Sequence, residues 1–194
     1  DSHHFDQVIA TYASPLLART CKTLPQSEIR PHAALRYQGV VCLSLLLKRP
    51  LGGAYMTYIT DNSIPFTTVI EMSALTGPSH FGGNHLVYLP RYVPSDDPFL
   101  EQPEAQVRDQ FVAGLRRLYP DFDASQIVSA HIARARYVMA LPTLHYSREL
   151  APMLTSIRGF YVCNSAHIVN ASLSVNEAVA LADRTTPEIL RHAQ

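Results

Sequence analysis

The stretch that most limits this chain runs from Val40 to Leu47, an almost wholly apolar segment whose one hydroxyl is Ser44 and which carries no charge. A run that short and that apolar is strand-sized, and it suits a strand covered on both faces, inside a sheet. It is also the longest apolar run in the chain and falls far short of the ~20 residues a membrane helix needs. No membrane-spanning segment is therefore expected. Further strand candidates surround it. Tyr55 to Thr60 and Phe66 to Met72 are rich in β-branched and aromatic residues, with Asp61-Asn62-Ser63 and Pro65 as turn signals between them. His85 to Tyr92 follows, and the spacing of these runs predicts hairpins in one sheet.

The period then changes. Between Pro103 and Leu118, the residues Val107, Phe111, Leu115 and Leu118 recur at helical spacing, and Pro120 stops the segment. Ile127 to Ala140 returns to strand character. One face carries His131, Ala133, Ala135, Tyr137 and Met139; the other carries Ile132, Arg134, Arg136 and Val138. At the ends of the chain, Phe5 to Ala10 reads as a short strand and Ser14-Pro15 as an N-cap opening a short helix through Ala18. Phe160 to Cys163 reads as a strand, and a last helix starts at Ser174, with a break expected before Pro187. Strand runs followed by separated helices predict an α+β fold. The expectation is a mixed, mostly antiparallel sheet with helices packed on one side, plus a C-terminal strand–helix segment.

Composition narrows the function classes. The chain has 194 residues, 47% of them hydrophobic, enough for one domain or one with a small appendage. Lys+Arg and Asp+Glu both number 16, so no basic field is present to hold nucleic acid or an anionic membrane. Cys21, Cys42 and Cys163 are odd in number and widely spaced, which fits neither a disulfide framework nor a zinc knuckle. A reducing compartment, the cytoplasm, is expected. The chain opens at Asp1 without a signal-peptide pattern. The expectation is a piece of a longer polypeptide, with a processed mature chain as the alternative, since it would start the same way.

Several motifs invite chemistry and decline it on inspection. Gly77-Pro-Ser-His-Phe-Gly82-Gly83 lacks the Lys-Ser/Thr pair of a phosphate loop and reads as a turn. There is no G-x-G-x-x-G, no H-E-x-x-H and no G-x-S-x-G. His80 and His85 lack flanking ligands, so no metal site is expected. Asp96-Asp97 reads as a solvated turn, and the sequon Asn170-Ala171-Ser172 as chance. Arg134 and Arg136 read as a solvated or salt-bridged sheet face. Tyr137 and Met139 are core or pocket residues, and Tyr146, after the Pro142 break, is the better pocket candidate because loops after strands carry function.

The C-terminal stretch is the informative one. Ser174-x-x-Glu177 is a capping box; most such boxes only start helices, yet the remaining N–H groups can hold an anion or an electron-rich carbonyl. Before it, Gly159-Phe160-Tyr161-Val162-Cys163 breaks to Asn164-Ser165. These segments, with Ser174-Val175-Asn176-Glu177-Ala178-Val179, resemble the C-terminal flavin-contacting segment of FAD-dependent amine oxidoreductases. That superfamily includes monoamine oxidases, protoporphyrinogen oxidase, phytoene desaturases and UDP-galactopyranose mutase. Phe5 to Thr11, with Pro15 following, is similar to the strand leading into the superfamily's substrate domain, and Arg136 to Pro142 to the strand returning from it.

The resemblance implies roles. Residues 1–12 would supply a strand of an FAD-binding domain, 13–150 a substrate-binding domain and 151–194 the flavin-contacting segment. Asn164 and Ser165 would lie near the ribityl-pyrophosphate. Ser174, Val175 and Asn176, at the helix start, would lie near the flavin pyrimidine carbonyl. Tyr137, Met139 and Tyr146 would contact a small-molecule substrate, with no catalytic residue implied. Two departures stand out: Asn164 replaces the commoner aspartate, and the glycine-rich turn is absent. A missing N-terminal dinucleotide-binding portion is the implied partner, and the chain alone is expected to lack FAD. The expected function is the substrate-binding portion of an oxidoreductase that moves a hydride from a small organic substrate to flavin. The alternatives are a non-redox flavin mutase of nucleotide sugars and a non-enzymatic binding domain.

Overall fold

The computed structural model describes residues 3–169 and 171–192. The sequon asparagine, Asn170, lies outside the described residues. In chain order the strands are β1 (Val8–Ala10), β2 (Tyr37–Leu47), β3 (Met56–Tyr58), β4 (Thr68–Glu71), β5 (His85–Pro94), β6 (Ile127–Ala140) and β7 (Phe160–Val162). The helices are α1 (Leu17–Thr20), α2 (Gln26–Ala34), α3 (Met72–Thr76), α4 (Glu104–Leu118), α5 (Tyr146–Glu149) and α6 (Val175–His192). Packing divides the chain into two units: Gln38–Val138, and Asp1–Tyr37 with Met139–Gln194. None of the described helices is long and apolar enough to cross a membrane.

The Gln38–Val138 unit is built on a five-stranded antiparallel sheet in the order β3-β4-β5-β2-β6. The apolar run sits in β2, paired along its length with β5 from Gln38↔Pro94 to Leu47↔His85. Its two faces are not equally covered. Tyr37, Gly39, Val41, Leu43, Leu45 and Leu47 are buried, while the alternate residues are only partly so. Full burial of each such Leu or Val contributes about 1.5–3 kcal/mol, so the buried face anchors the unit. The α4 stripe foreseen from its period enters the same core through Val107, Phe111 and Leu115. Phe111 meets Phe66 edge-on at 5.5 Å and stacks with Phe99 at 6.0 Å. Close approach is possible because Gly114 has no side chain; a Cβ there would lie 2.6 Å from Pro65 Cδ.

Three details of this unit were invisible in the linear pattern. Met72, read as the end of a strand, instead opens α3, whose end is set by Gly77 at φ 86°. Glu71, at the end of β4, is 2% exposed and accepts the N–H groups of Leu51, Gly52 and Gly53 at 3.1–3.3 Å. A buried carboxyl thus ties down the Gly52-Gly53 turn. Asp97 also does more than face solvent: it accepts Phe99 N–H at 2.7 Å and caps the 3-10 turn Pro98–Glu101. The arginine pair on β6 is a tethered sheet face. Arg134 donates to Gln102 O at 2.7 Å and Glu104 Oε1 at 3.3 Å, and Arg136 to Ser95 O at 2.6 Å and to Glu101.

The second unit holds a two-stranded parallel sheet, β1 with β7, in the register Val8↔Phe160 to Ala10↔Val162. Gly159 makes that pairing possible: it has φ 78°, and a Cβ on it would fall 2.4 Å from Asp6 O. Ala10, Val162, Leu17, Leu24 and Ile29 form its small core. Two expectations change here. Ser14 is not an N-cap; it lies inside the 3-10 turn Ser14–Leu16, whose cap position is Ala13. Pro187 does not break α6, because Leu181, Thr185 and Ile189 are buried on one face on both sides of it. Packing across the proline outweighs the hydrogen bond it removes.

Candidate functional site

Asn164 follows β7 directly, and its side chain turns back into the protein. Its Oδ1 accepts Ala166 N–H at 3.0 Å, and its Nδ2 donates to Tyr12 O at 2.9 Å and to Ser14 Oγ at 3.0 Å. Its own backbone N–H donates to His167 Nδ1 at 3.2 Å, which completes a capping box around the 3-10 turn Ser165–His167. With Nδ1 accepting, the His167 proton sits on Nε2, which reaches Ala151 O at 3.2 Å. The network continues through Ser14 Oγ to His32 Nδ1 at 3.3 Å, while Tyr37 Oη accepts Ser14 N–H at 3.3 Å.

Burial sets the electrostatics of this cluster. His32 is pushed down to about 4, first by burial and then by repulsion from His167, with Glu28 opposing weakly. Burial also holds His167 below the ordinary histidine range, against its bonds to Asn164 and Ala151. Burial raises Tyr37 and pushes Tyr146 up to about 12. A serine beside an imidazole has the look of a nucleophile and its base. Ser14 is 1% exposed and its hydroxyl is already engaged by Asn164 and His32, so no reactant reaches it. The cluster is a clamp that joins the ends of β1 and β7.

The clamp sets Asn164 and Ser165 into the wall of a cavity of about 320 Å³ against α6, with Ile9, Leu181, Thr185 and Ile189 as further walls. Ser165 also lines a second cavity of about 270 Å³, where Met139 joins it. Ser165 is thus shared by two cavities, with Asn164 beside it in one and Met139 in the other. Ser174, Val175 and Asn176 lie at the start of α6. Ser174 Oγ accepts Glu177 N–H at 3.2 Å, one arm of the expected capping box. Val175 is 80% exposed, and the first N–H groups of α6 have no intrahelical acceptor. Tyr146 is buried and donates its hydroxyl to Ala166 O at 2.7 Å; its ring lines a third, separate groove. Tyr137 lies on β6 in the other packing unit and is half-buried.

The sequence pointed to Ser14 only as a helix cap, and neither His32 nor His167 was singled out as a member of this cluster. One local signal was there to find, since Asn164-x-x-His167 has capping-box spacing with histidine at the third turn position. Among the described residues no three His, Cys, Asp or Glu side chains converge on a metal position. His85 is occupied by Ser73 Oγ at 3.2 Å.

No family model matches the chain, and no curated protein matches it. Solved structures do. An oxidoreductase from Methanosarcina mazei superposes on 96% of the chain with a TM-score of 0.69 at 18% identity. A "Putative protoporphyrinogen oxidase" from Exiguobacterium sp. 255-15 covers 97% with a TM-score of 0.70 at 12% identity. Reduced UDP-galactopyranose mutase covers 76% with a TM-score of 0.57 at 14% identity. The chain has the fold of part of these proteins. It spans 43%, 42% and 33% of their respective lengths. Nearly all of this chain thus finds a counterpart, while more than half of each larger protein has none here.

Proposed function

We propose that this chain is the substrate-binding portion, with the C-terminal flavin-contacting segment, of an FAD-dependent oxidoreductase that transfers a hydride from a small organic substrate to flavin. The observation that carries this is the fold correspondence over 96–97% of the chain with an oxidoreductase and a "Putative protoporphyrinogen oxidase". The parallel β1–β7 pair supports it. Parallel sheets are normally buried on both faces in larger sheets, yet Val8 and Ile9 are 42% and 47% exposed. Such a pair reads as the margin of a sheet whose other strands belong to the missing dinucleotide-binding portion.

The residues present fit one end of a flavin dinucleotide. The N–H groups of Val175 and Asn176, oriented by the Ser174 cap, would face an electron-rich ring carbonyl, and a helix start favours anionic charge there. Both amide N–H donors of Asn164 are engaged within the chain, so the side chain serves mainly to position Ser165 and the neighbouring backbone. Met139, Tyr137 and Tyr146 are assigned to the substrate side, in a functional division of 1–12, 13–150 and 151–194. The flavin would carry the redox chemistry and the protein would orient the substrate. The odd number and wide spacing of Cys21, Cys42 and Cys163 are in keeping with a cytoplasmic parent.

The test is the protein extended upstream. Purified, it should carry flavin or take up added FAD, and substrate should bleach the bound flavin. A preparation without flavin that ignores added FAD refutes the reading. Flavin that must be reduced before a sugar nucleotide isomerises, without net substrate oxidation, would replace it with a mutase.

A further inference from the structure

One groove lies apart from the two cavities lined by Asn164 and Ser165, and Tyr146 is the one residue it shares with the substrate side proposed above. It lies wholly within the unit formed by Asp1–Tyr37 and Met139–Gln194, has a volume of about 660 Å³ and is lined by α2, the residues after it, and the segment from Leu141 through α5. That volume is in the range of small-molecule sites, roughly 300–1,000 Å³. Pro31, Ala34, Leu35, Leu141 and the Tyr146 ring supply an apolar surface. Tyr146 is fixed there, since its hydroxyl is bonded to Ala166 O. The groove is therefore preformed on that side.

Two arginines, Arg30 and Arg36, line the same groove. Several arginines elsewhere are tied to acceptors within the chain, and among the described residues these two, side by side in one groove, are not. Arg117 is held by Asp61 and Ser63, Arg134 by Glu104 and Gln102, Arg136 by Glu101 and Ser95, and Arg184 by His167 O. Among the described residues neither the Arg30 nor the Arg36 guanidinium has a hydrogen-bond or ion-pair partner. Glu149 lines the groove as well but pairs with neither. Ser27, another lining residue, sits four residues before Pro31. Pro31 has no N–H, so the Ser27 carbonyl lacks its regular helical donor.

We infer that this groove binds an organic acid: an apolar or aromatic body laid against Tyr146, Leu35 and Leu141, with a carboxylate taken by Arg30 and Arg36. Guanidinium groups match a carboxylate bidentately and hold it more firmly than a point charge would. Glu149 excludes a second anionic group near it and favours a monoanion over a polyphosphate. This site rests on the chain's own residues and stands whether or not the parent holds flavin.

The experiment is a titration of the isotope-labelled chain, as it exists, with 1-naphthoate, neutral 1-naphthamide and inorganic phosphate, followed by amide chemical shifts. Naphthoate should shift the amides of Ala34, Leu35, Leu141 and Thr143, and bind at least tenfold more tightly than naphthamide. R30Q and R36Q should each weaken naphthoate by about tenfold and leave naphthamide unchanged, while E149Q should strengthen naphthoate. Both arginines are exposed, so these variants leave the fold intact. Equal binding of acid and amide overturns the inference. So do shifts centred on the α6 cavity instead, no saturable binding at millimolar naphthoate, or phosphate binding as tightly as naphthoate.

Discussion

Acid should unfold the clamp through its buried histidines, and His32 gives the effect a magnitude. Its folded-state value is pushed down to about 4 from an ordinary 6.5, so the folded form keeps the ring neutral where the unfolded form takes up a proton. The unfolded state then binds more protons, and stability falls as pH drops below about 6.5 and levels off below about 4. At pH 5.5 the difference is about 0.9 proton, a slope of roughly 1.2 kcal/mol per pH unit, and the loss from pH 7 to pH 5 is about 2 kcal/mol. His167 is depressed in the same direction and steepens the fall. Glu28, whose carboxyl is held low first by its bonds to Ser156, contributes only at lower pH. The assay is urea unfolding of the chain between pH 7 and pH 5, comparing wild type with H32Q, in which glutamine can still bond Ser14 Oγ. The variant should lose about half of the pH slope in that window. An unchanged slope would refute the argument, as would a His32 ring resonance that titrates near 6.5 in the folded protein.

Three further outcomes follow from single contacts. Gly159→Ala places a Cβ 2.4 Å from Asp6 O at a φ of 78°; it should cost about 2–4 kcal/mol and strip amide-exchange protection from Val8 and Cys163 while sparing β2. Glu71→Ala leaves the N–H groups of Leu51, Gly52 and Gly53 without their acceptor and should cost about 2–3 kcal/mol in chemical denaturation; a loss under 0.5 kcal/mol would mean that water replaces the carboxyl freely. In the upstream-extended protein, Glu177→Gln removes a negative charge from the first turn of α6, which should raise the flavin reduction potential by about 10–20 mV. A potential that stays put or falls would place the ring elsewhere.

What the chain disclosed in advance depended on the range of the interaction involved. β6 spans the very residues its alternation marked, and α4 starts one residue inside its Pro103 signal, because periodicity and proline act locally. Apolar patterning also exposed the sheet, since β2 needs little beyond its own composition to demand a central position. The ends of elements were harder. Pro187 was read as a stop because local chemistry disfavours it, and the helix continues because burial on α6 is decided by partners far along the chain. Met72 went the other way, closing a strand on composition but opening a helix in the fold.

Asn164 shows the same division within one residue. Its position as a break after a strand was legible from the abrupt change in polarity. Its bonding was not, because its partners Tyr12 and Ser14 lie 152 and 150 residues away. A polar residue at such a break can face a ligand or fold back, and no local rule chooses between them. Here both amide groups fold back, so an Asn164→Asp change is the sharper probe. Aspartate cannot donate to Tyr12 O and Ser14 Oγ, so it should destabilise the clamp by about 1–3 kcal/mol before any question of cofactor arises. If N164D instead keeps full stability and alters only flavin binding in the extended protein, the side chain faces the ligand after all and the clamp is incidental.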